Sequence, residues 1–499
     1  MAASGIDQVT VGVVGGGTMG AGIVQVALTG GHPVVLHDSQ AGAAEKARAG
    51  IFGRIDRLAE KGTLTAEAAA GAKARLAIAD DLAGMAACGV VVEAVVEDIA
   101  VKHAVFTALE RHCAPDAILA SNTSSIPIAR IAQALTHRRR VAGMHFFNPV
   151  PVMRLVEIIS GPDTDPVVAD ALAALGKRFG RVPVMVKDAP GFLVNLGGRA
   201  FGSEGLAIVH EGVATPEQVD QVMRDCCHFR MGPFELMDLT GIDVNHPVSE
   251  IIWQGYYCDP RLRTTPYHRS LREAGRLGRK SGQGHFAYQD GNRVPGPAPA
   301  PAASAPAARV VLLDVSTVAA ELLAGAETIA HDDGQSPLVA TPVGEDCTAL
   351  AARLGVDHRR LVAMDVLCDT SKRVTLMTAP GADPAALAGV AARLAANGRA
   401  ITAIKDSAGF IQQRMRAMVA NLGCEMAQIG VAGPADIDTA MQLGLNYPMG
   451  PLAMADSIGI DKVHAIMIAL QAATGDDRYR PSQWLRRRAI LGLAAATPA

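Results

Sequence analysis

The sequence predicts an α/β domain built on a parallel sheet, followed by an all-α domain that occurs twice. Three observations predict it. A glycine-rich turn near residue 15 joins a buried strand pattern to an apolar helix pattern, strand patterns give way to helical ones after residue 187, and several short motifs recur at one constant offset in the C-terminal half. The bulk numbers agree. A chain of 499 residues is too long for one ordinary core. Its 49% hydrophobic residues with only 4% aromatics suit tightly packed α/β layers better than a β-sandwich.

Composition also excludes several functions. A formal net charge of −3 provides no broad basic field for nucleic acid. The apolar run from Val9 to Leu28 is interrupted by glycines, which argues against a membrane span. No Lys or Arg precedes Lys46, so the charged start of a signal peptide is missing. The eight cysteines form no C-x-x-C pair and no zinc-like spacing with histidine, so they read as reduced thiols with no metal. A cytoplasmic protein with neither nucleic-acid nor membrane partners is expected.

Residues Val9-Thr-Val-Gly-Val-Val14 read as a buried strand, Gly15-Gly-Gly-Thr-Met-Gly20 as a turn, and Ile23 to Leu28 as part of a helix. A second strand, Val34-Val-Leu-His-Asp38, ends in an acid about twenty residues after the turn, which completes the dinucleotide fingerprint of a Rossmann-type domain. Gly15 permits the tight turn, Gly17 lets the backbone approach a pyrophosphate, and Gly20 allows close helix–strand packing. The helix start offers free N–H groups to the phosphates. Asp38 can accept from ribose hydroxyls and would repel a 2′-phosphate, so NAD is expected over NADP. The expected cofactor contacts here are Gly15, Gly17, Thr18, Met19, Gly20 and Asp38.

Gly89 to Val96 is another buried strand, with Glu97 and Lys102 just beyond it. Loops at the carboxyl ends of such strands face the cofactor, so both join the expected contacts, although a solvated helix start gives the same pattern. Ile118 to Ser125 runs from a strand into a hydroxyl cluster, part of which must cap the next helix.

The stretch from Met144 to Glu157 holds one histidine and one glutamate, His145 and Glu157. Between them lie Asn148 and two prolines, Pro149 and Pro151, which exclude a single helix. Its position between the α/β pattern and the helical pattern suggests a domain junction, where clefts form. Imidazole titrates nearest neutrality and suits a proton acceptor, and a carboxylate on its other nitrogen would fix the tautomer.

Lys187-Asp-Ala-Pro-Gly-Phe192 recurs as Lys405-Asp-Ser-Ala-Gly-Phe410, Met231-Gly-Pro233 as Met449-Gly-Pro451, and Gly241-Ile-Asp243 as Gly459-Ile-Asp461, each 218 residues on (409 − 191 = 218 at the shared Gly-Phe). The expected organisation is a Rossmann-type domain over residues 1–187, a helical domain over 188–290, a Pro/Ala linker over 291–308, a degenerate α/β segment without a glycine fingerprint over 309–402, and a second helical copy over 403–499. Aligning Val141–Met144 with Leu361–Met364 sets Asp365 opposite His145. The counterpart of Glu157 then falls at or near Leu376 or Met377, and Gln413 replaces Asn195. One active site per chain, in the first half, is expected.

With these residues in hand, the chain resembles the bacterial 3-hydroxyacyl-CoA dehydrogenases, especially the long 3-hydroxybutyryl-CoA or 3-hydroxyadipyl-CoA type with two C-terminal domains. The matching stretches are Gly15 to Gly20, Ser121-Asn-Thr-Ser-Ser125, His145-Phe-Phe-Asn-Pro149, Leu155-Val-Glu157, Asp188 to Asn195, Met231 to Leu236 and Lys280-Ser-Gly-Gln-Gly284. The resemblance implies NAD-dependent oxidation of (3S)-3-hydroxyacyl-CoA to 3-oxoacyl-CoA, in fatty-acid β-oxidation or phenylacetate-type catabolism. It implies a catalytic set of His145, Glu157, Ser124 and Asn195, and it adds Ser124 and Asn148 to the cofactor contacts. It also implies an acyl-CoA substrate and either a homodimer or an intrachain pairing of the two helical copies. Two departures stand out: Leu196-Gly-Gly-Arg199 where the family has Arg directly after Asn195, and Arg230 in place of the proline before Met231. The alternatives are an NAD dehydrogenase of a free hydroxy acid or sugar acid, and a non-catalytic NAD-binding protein.

Overall fold

The computed structural model describes residues 9–296, 304–314 and 316–498, so residues 297–303 of the Pro/Ala linker lie outside the described residues. The chain forms two compact units, one of residues 1–196 with 429–445 and the other of residues 197–428 with 446–499.

The first unit is built on strands β1 (Val11–Val14), β2 (Val34–His37), β3 (Leu76–Ile78), β4 (Val90–Glu93), β5 (Ile118–Ser121), β6 (Val141–Phe146), β7 (Leu155–Ser160) and β8 (Val182–Lys187). They form one sheet in the order β3-β2-β1-β4-β5-β6-β7-β8. All neighbours are parallel except β6 and β7, which are antiparallel. Helices α1 (Thr18–Thr29), α2 (Ala43–Glu60), α3 (Ala66–Ala74), α4 (Ile99–His112), α5 (Ile128–Ala132) and α6 (Pro166–Arg178) connect them. Val11, Val13, Leu36, Val90 and Val92 are fully buried, as strands covered on both faces require, and Ile23 of α1 is buried in the same core. Each such side chain contributes about 1.5–3 kcal/mol of transfer free energy. Strand order reverses between β1 and β4, where an open α/β sheet forms its ligand crevice.

Helix α7 (Val194–His210) begins in the first unit and continues in the second. There follow α8 (Pro216–Cys227), α9 (Pro233–Thr240), α10 (Ile242–Gly255), α11 (Pro266–Glu273) and a short hairpin of β9 (Tyr288–Gln289) and β10 (Asn292–Arg293). The degenerate segment has its own sheet of β11 (Arg309–Leu312), β12 (Glu327–Ile329), β13 (Leu338–Ala340), β14 (Leu361–Asp365), β15 (Arg373–Met377) and β16 (Ala400–Ile404), ordered β12-β11-β13-β14-β15-β16. Its helices are α12 (Thr317–Leu322), α13 (Cys347–Leu354) and α14 (Pro384–Ala396), and the second copy adds α15 (Gln412–Gln428), α16 (Pro434–Leu445), α17 (Pro451–Ile458), α18 (Ile460–Thr474) and α19 (Gln483–Leu491). No helix among the described residues is long and apolar enough to cross a membrane.

The two copies contribute helices to opposite sheets. In the first unit, the edge strand β8 is covered by the second copy: Lys187 N donates to Val431 O at 2.8 Å and Met185 N to Asp436 Oδ2 at 3.1 Å. In the second unit, β15 and β16 are covered by the first copy: Lys405 N donates to Val213 O at 3.1 Å, Gln218 Nε2 to Ala403 O at 3.0 Å, and Arg373 pairs with Asp225 at 2.7 Å. Lys187 with Val431 and Lys405 with Val213 are the same contact read in both directions at the 218-residue offset. Free N–H groups on a sheet edge are a liability, and the β8 and β16 edges are each closed by the other copy.

Candidate active site

The glycine turn works as its residue types require. Gly15 has φ +107°, which an L side chain rarely adopts, and a Cβ on Gly20 would stand 1.8 Å from the Gly15 carbonyl oxygen. A Cβ on Gly17 would meet no protein atom. Gly17 instead borders a cavity of about 830 Å³, also lined by Gly15, Gly16, Thr18 and Asp38 and by the cations Lys46 and Arg54. Helix α1 starts there with no side-chain cap, so its first N–H groups are available to an anion. Asp38 accepts from Gly16 N at 2.7 Å and Gln40 N at 2.9 Å, which anchors the carboxylate at the rim. A backbone cradle, two cations and a rim carboxylate fit the pyrophosphate and ribose of a dinucleotide. Met19 and Gly20 sit outside the lining, as do Glu97, Lys102, Ser124 and Asn148.

Next along the sheet, the antiparallel register of β6 and β7 sets His145 directly opposite Glu157. Directly opposed residues project to one face with their Cβ atoms close together. His145 Nδ1 lies 2.6 Å from Glu157 Oε2, and both side chains are almost fully buried. The other oxygen, Oε1, accepts from Leu193 N at 3.1 Å and Val194 N at 2.8 Å, at the start of α7. Three donors therefore converge on one carboxylate. A carboxylate only accepts, so Nδ1 carries the proton and Nε2 presents its lone pair. The rings of Phe147 and Phe192 flank the imidazole at 4.5 and 5.9 Å between centroids.

The segment between His145 and Glu157 is a turn, as its prolines demand, and Arg181 pins it by donating to Val150 O at 3.1 Å and Met153 O at 2.7 Å. Asn148 is exposed at the head of that turn. Asn122 Oδ1 accepts from Phe146 N at 2.8 Å and ties the end of β5 to the residue after His145. Asp188, from the motif preceding α7, accepts from Ile128 N at 3.0 Å and Ala129 N at 2.8 Å, at the start of α5. Burial raises the Asp188 pKa above the ordinary range even against these bonds.

Other expected residues are placed as follows. Ser124 is exposed on the loop after β5, and Asn195 lies half-buried in the first turn of α7. Lys102 is buried against Glu93 at 2.8 Å and Glu97 at 3.2 Å. Sequence reasoning missed Glu93, Asn122, Arg181 and the backbone of Leu193 and Val194. Of these, Asn122 lies inside the Ser121–Ser125 motif and Leu193 and Val194 inside the Asp188–Asn195 motif, whereas Arg181 carried no local signal.

The second half corrects one expectation. β14 and β15 pair Asp365 with Thr375, not with Leu376 or Met377. Asp365 is fully buried and bonded to Gln412 at 2.9 Å and Gln413 at 3.0 Å, and burial raises its pKa. The hydroxyl of Thr375 therefore stands where the first half has Glu157. At the end of β11, where the first half has its glycine turn, Asp314 accepts from Thr341 N at 2.6 Å, and an acid there would repel a phosphate.

Comparison with known proteins agrees with this arrangement. The sequence model described as "3-hydroxyacyl-CoA dehydrogenase, NAD binding domain" matches residues 10–189. The one described as "3-hydroxyacyl-CoA dehydrogenase, C-terminal domain" matches twice, at residues 191–288 and 409–496. The chain is 37% identical over 490 residues to a 3-hydroxyadipyl-CoA dehydrogenase of Escherichia coli strain K12, covering 97% of this chain and 98% of that one. It is 37% identical over 285 residues to a 3-hydroxybutyryl-CoA dehydrogenase of Bradyrhizobium diazoefficiens, covering 57% of this chain and 97% of the relative. The crystal structure of a 3-hydroxybutyryl-CoA dehydrogenase from Escherichia coli K12 superposes with a TM-score of 0.85 at 36% identity, covering 97% of this chain and 98% of that one.

Proposed function

We propose, from the premise that this chain belongs to the 3-hydroxyacyl-CoA dehydrogenase family, that His145 and Glu157 form its single catalytic acid/base centre. The reaction class comes with the family: NAD-dependent oxidation of a 3-hydroxyacyl-CoA to the 3-oxoacyl-CoA. The observation that carries the proposal is the 2.6 Å contact between His145 Nδ1 and Glu157 Oε2, with Oε1 held by two backbone N–H groups.

Oxidising a secondary alcohol takes a proton from oxygen and a hydride from the same carbon. The glycine turn from Gly15 to Gly20 and Asp38 would hold NAD, which when bound would supply the hydride acceptor. His145 accepts the hydroxyl proton at Nε2, and Glu157 keeps the Nδ1 proton in place and stabilises the imidazolium as it forms. Leu193 N and Val194 N stop the carboxylate from rotating away. Phe147 and Phe192 limit water around the ring. Ser124 and Asn195 are the candidates to hydrogen-bond the reacting oxygen or the thioester carbonyl, by the resemblance set out above.

The substrate is a (3S)-3-hydroxyacyl-CoA of the butyryl or adipyl class, in fatty-acid β-oxidation or aromatic catabolism. A terminal carboxylate calls for a cation, for which Arg199, Arg224, Arg230 and Arg263 are the candidates; Arg224 already pairs with Glu235 at 3.1 Å and Arg263 with Asp476 at 2.5 Å. An NADH-oxidation screen over 3-oxoacyl-CoAs of increasing length, with and without a terminal carboxylate, tests the substrate class. Activity on free acetoacetate equal to that on acetoacetyl-CoA would overturn it. The reciprocal helix contacts support an intrachain pairing of the two helical copies, with domain limits as read from the sequence. All eight cysteines are free thiols, which suits the cytoplasm.

A further inference from the structure

Helix α7 carries Glu204, fully buried, and three groups of the second helical copy share its carboxylate. Arg414 Nε, in the first turn of α15, donates to Oε1 at 2.8 Å, Arg478 Nε to Oε2 at 3.2 Å, and the Tyr479 hydroxyl to Oε1 at 3.1 Å. Arg414 also reaches Glu211, just beyond α7, from Nη1 at 2.7 Å and Nη2 at 3.1 Å. It donates as well to the hydroxyls of Ser407 at 3.0 Å and Tyr479 at 2.7 Å. Both guanidinium groups are buried. Burial acts to raise the Glu204 pKa, but Arg414 and Arg478 outweigh it and hold the carboxyl below its usual range. Each ion pair of the cluster joins the first copy to the second.

The duplication shows what the matching positions hold. At the 218-residue offset Glu204 corresponds to Leu422, Glu211 to Ile429 and Arg414 to Leu196. Leu196 and Leu422 are buried as well. Arg478 has a counterpart in Arg261, since both lie two residues after a capping aspartate, Asp476 and Asp259. Arg261, however, is taken by Asp259 at 2.6 Å and Glu425 at 2.8 Å. A face shared by identical subunits repeats each contact, i with j and j with i. Here the Arg414–Glu204 contact is made once, and the positions that would repeat it are apolar.

Like-with-like pairing would undo the cluster. Two first copies would set Leu196 in the place of Arg414 beside Glu204 and Glu211. Two second copies would offer Arg414 only Leu422 and Ile429 where it now has both acids. Removing one partner of a buried ion pair leaves an uncompensated charge, which is strongly destabilising. Such a penalty on the wrong partner is a source of specificity.

We propose that this one-way cluster selects the partner of α7: its face accepts the second helical copy and rejects another first copy, so identical chains do not associate through it like with like. This rests on the reading that the two copies pair within the chain, and it adds the charges that enforce the choice.

The test moves the acid from one copy to the other in the full-length chain, reading mass by sedimentation equilibrium and stability by thermal melting. Glu204→Leu alone should lower the melting temperature and leave the wild-type mass. Leu422→Glu alone keeps the cluster and should keep the wild-type mass too. The two together satisfy Arg414 only when second copies pair with each other. Their mass should rise about twofold over wild type, with a melting temperature that climbs with concentration. Arg414→Leu with Leu196→Arg moves the cation instead and should act in the same way through the first copies. A doubled mass for Glu204→Leu alone would overturn the proposal, as would wild-type mass, or no folded chain, from both relocations. Glu204→Leu and Arg414→Leu chains refolded as a mixture regain the wild-type melting temperature only if copies pair between chains. That recovery would overturn the intrachain reading itself; a mixture that melts like its parts upholds it.

Discussion

Replacing Glu157 by glutamine keeps the shape of the side chain and takes away what the site needs from it. The carboxylate receives three donors: His145 Nδ1 at 2.6 Å on Oε2, and Leu193 N and Val194 N at 3.1 and 2.8 Å on Oε1. A glutamine has one oxygen and one NH2 group, so it cannot satisfy both sides. With its oxygen toward α7, the NH2 faces His145, which must then accept at Nδ1 and carry its proton on Nε2, where a base is needed. With its oxygen toward His145, the NH2 meets two backbone N–H groups, and losing hydrogen bonds to a charged acceptor costs about 1.5–3 kcal/mol each. The first arrangement is the cheaper and the catalytically worse one. A wrong tautomer in a comparable triad lowers kcat by roughly 10⁴, or about 5–6 kcal/mol in the barrier. Steady-state oxidation of 3-hydroxybutyryl-CoA with saturating NAD should show that loss in kcat with KM nearly unchanged, as for an interaction that strengthens only in the transition state. A kcat within about tenfold of wild type would refute the reasoning.

Other outcomes follow from the same geometry. Gly17→Ala, whose Cβ meets no protein atom, should leave the melting temperature of the cofactor-free protein unchanged and weaken NADH binding, whereas Gly20→Ala, at 1.8 Å from Gly15 O, should lower both; calorimetry and fluorescence titration separate them. Glu204 takes Arg414 at 2.8 Å, Arg478 at 3.2 Å and Tyr479 at 3.1 Å in a fully buried cluster, so Glu204→Gln should cost roughly 3–5 kcal/mol by denaturant titration of unfolding. His268 bonds Asn245 at 2.7 Å and Thr264 at 2.8 Å, and burial, helped by His246, His285 and Arg199, pushes its pKa down to about 3. Its contribution is therefore complete above the unfolded value near 6.5 and is lost as pH falls toward 3, because only the unfolded chain binds the proton there. His268→Gln should flatten the pH profile of unfolding in that window by up to about 1.4 kcal/mol per pH unit.

The parts of this molecule that could be read from sequence are those decided locally. The turn from Gly15 to Gly20 and the acid at Asp38 are fixed by backbone sterics and spacing within one βαβ unit, so the glycine pattern carries its own geometry. His145 and Glu157 could be named as a pair, but their register could not, because a loop of that length does not set strand pairing. The two backbone donors on Glu157 come from a segment 36 and 37 residues away and have no side-chain signature. Glu97 and Lys102 were marked as charged residues beyond β4. Charge and spacing give no partners; in the structure Lys102 meets Glu93 and Glu97, and Glu97 meets the loop after β5.

Thr375 escaped because its hairpin is shorter: Asp365 to Thr375 spans ten residues against twelve from His145 to Glu157, so an ungapped comparison cannot follow both strands. The exchange of α8 and α16 was likewise hidden. An amphipathic pattern reports that a helix face is covered and says nothing of which sheet covers it. That Asp365 and Thr375 occupy the places of His145 and Glu157 leaves the first half as the seat of the chemistry.

The claim that His145 is the base of a single active centre is tested most directly by His145→Ala, measured at once for turnover and for NADH binding. The account predicts that oxidation of 3-hydroxyacyl-CoA falls by far more than about tenfold, while NADH still binds one per chain with its wild-type Kd. Turnover above about one-tenth of wild type, or two NADH molecules bound per chain, would contradict it.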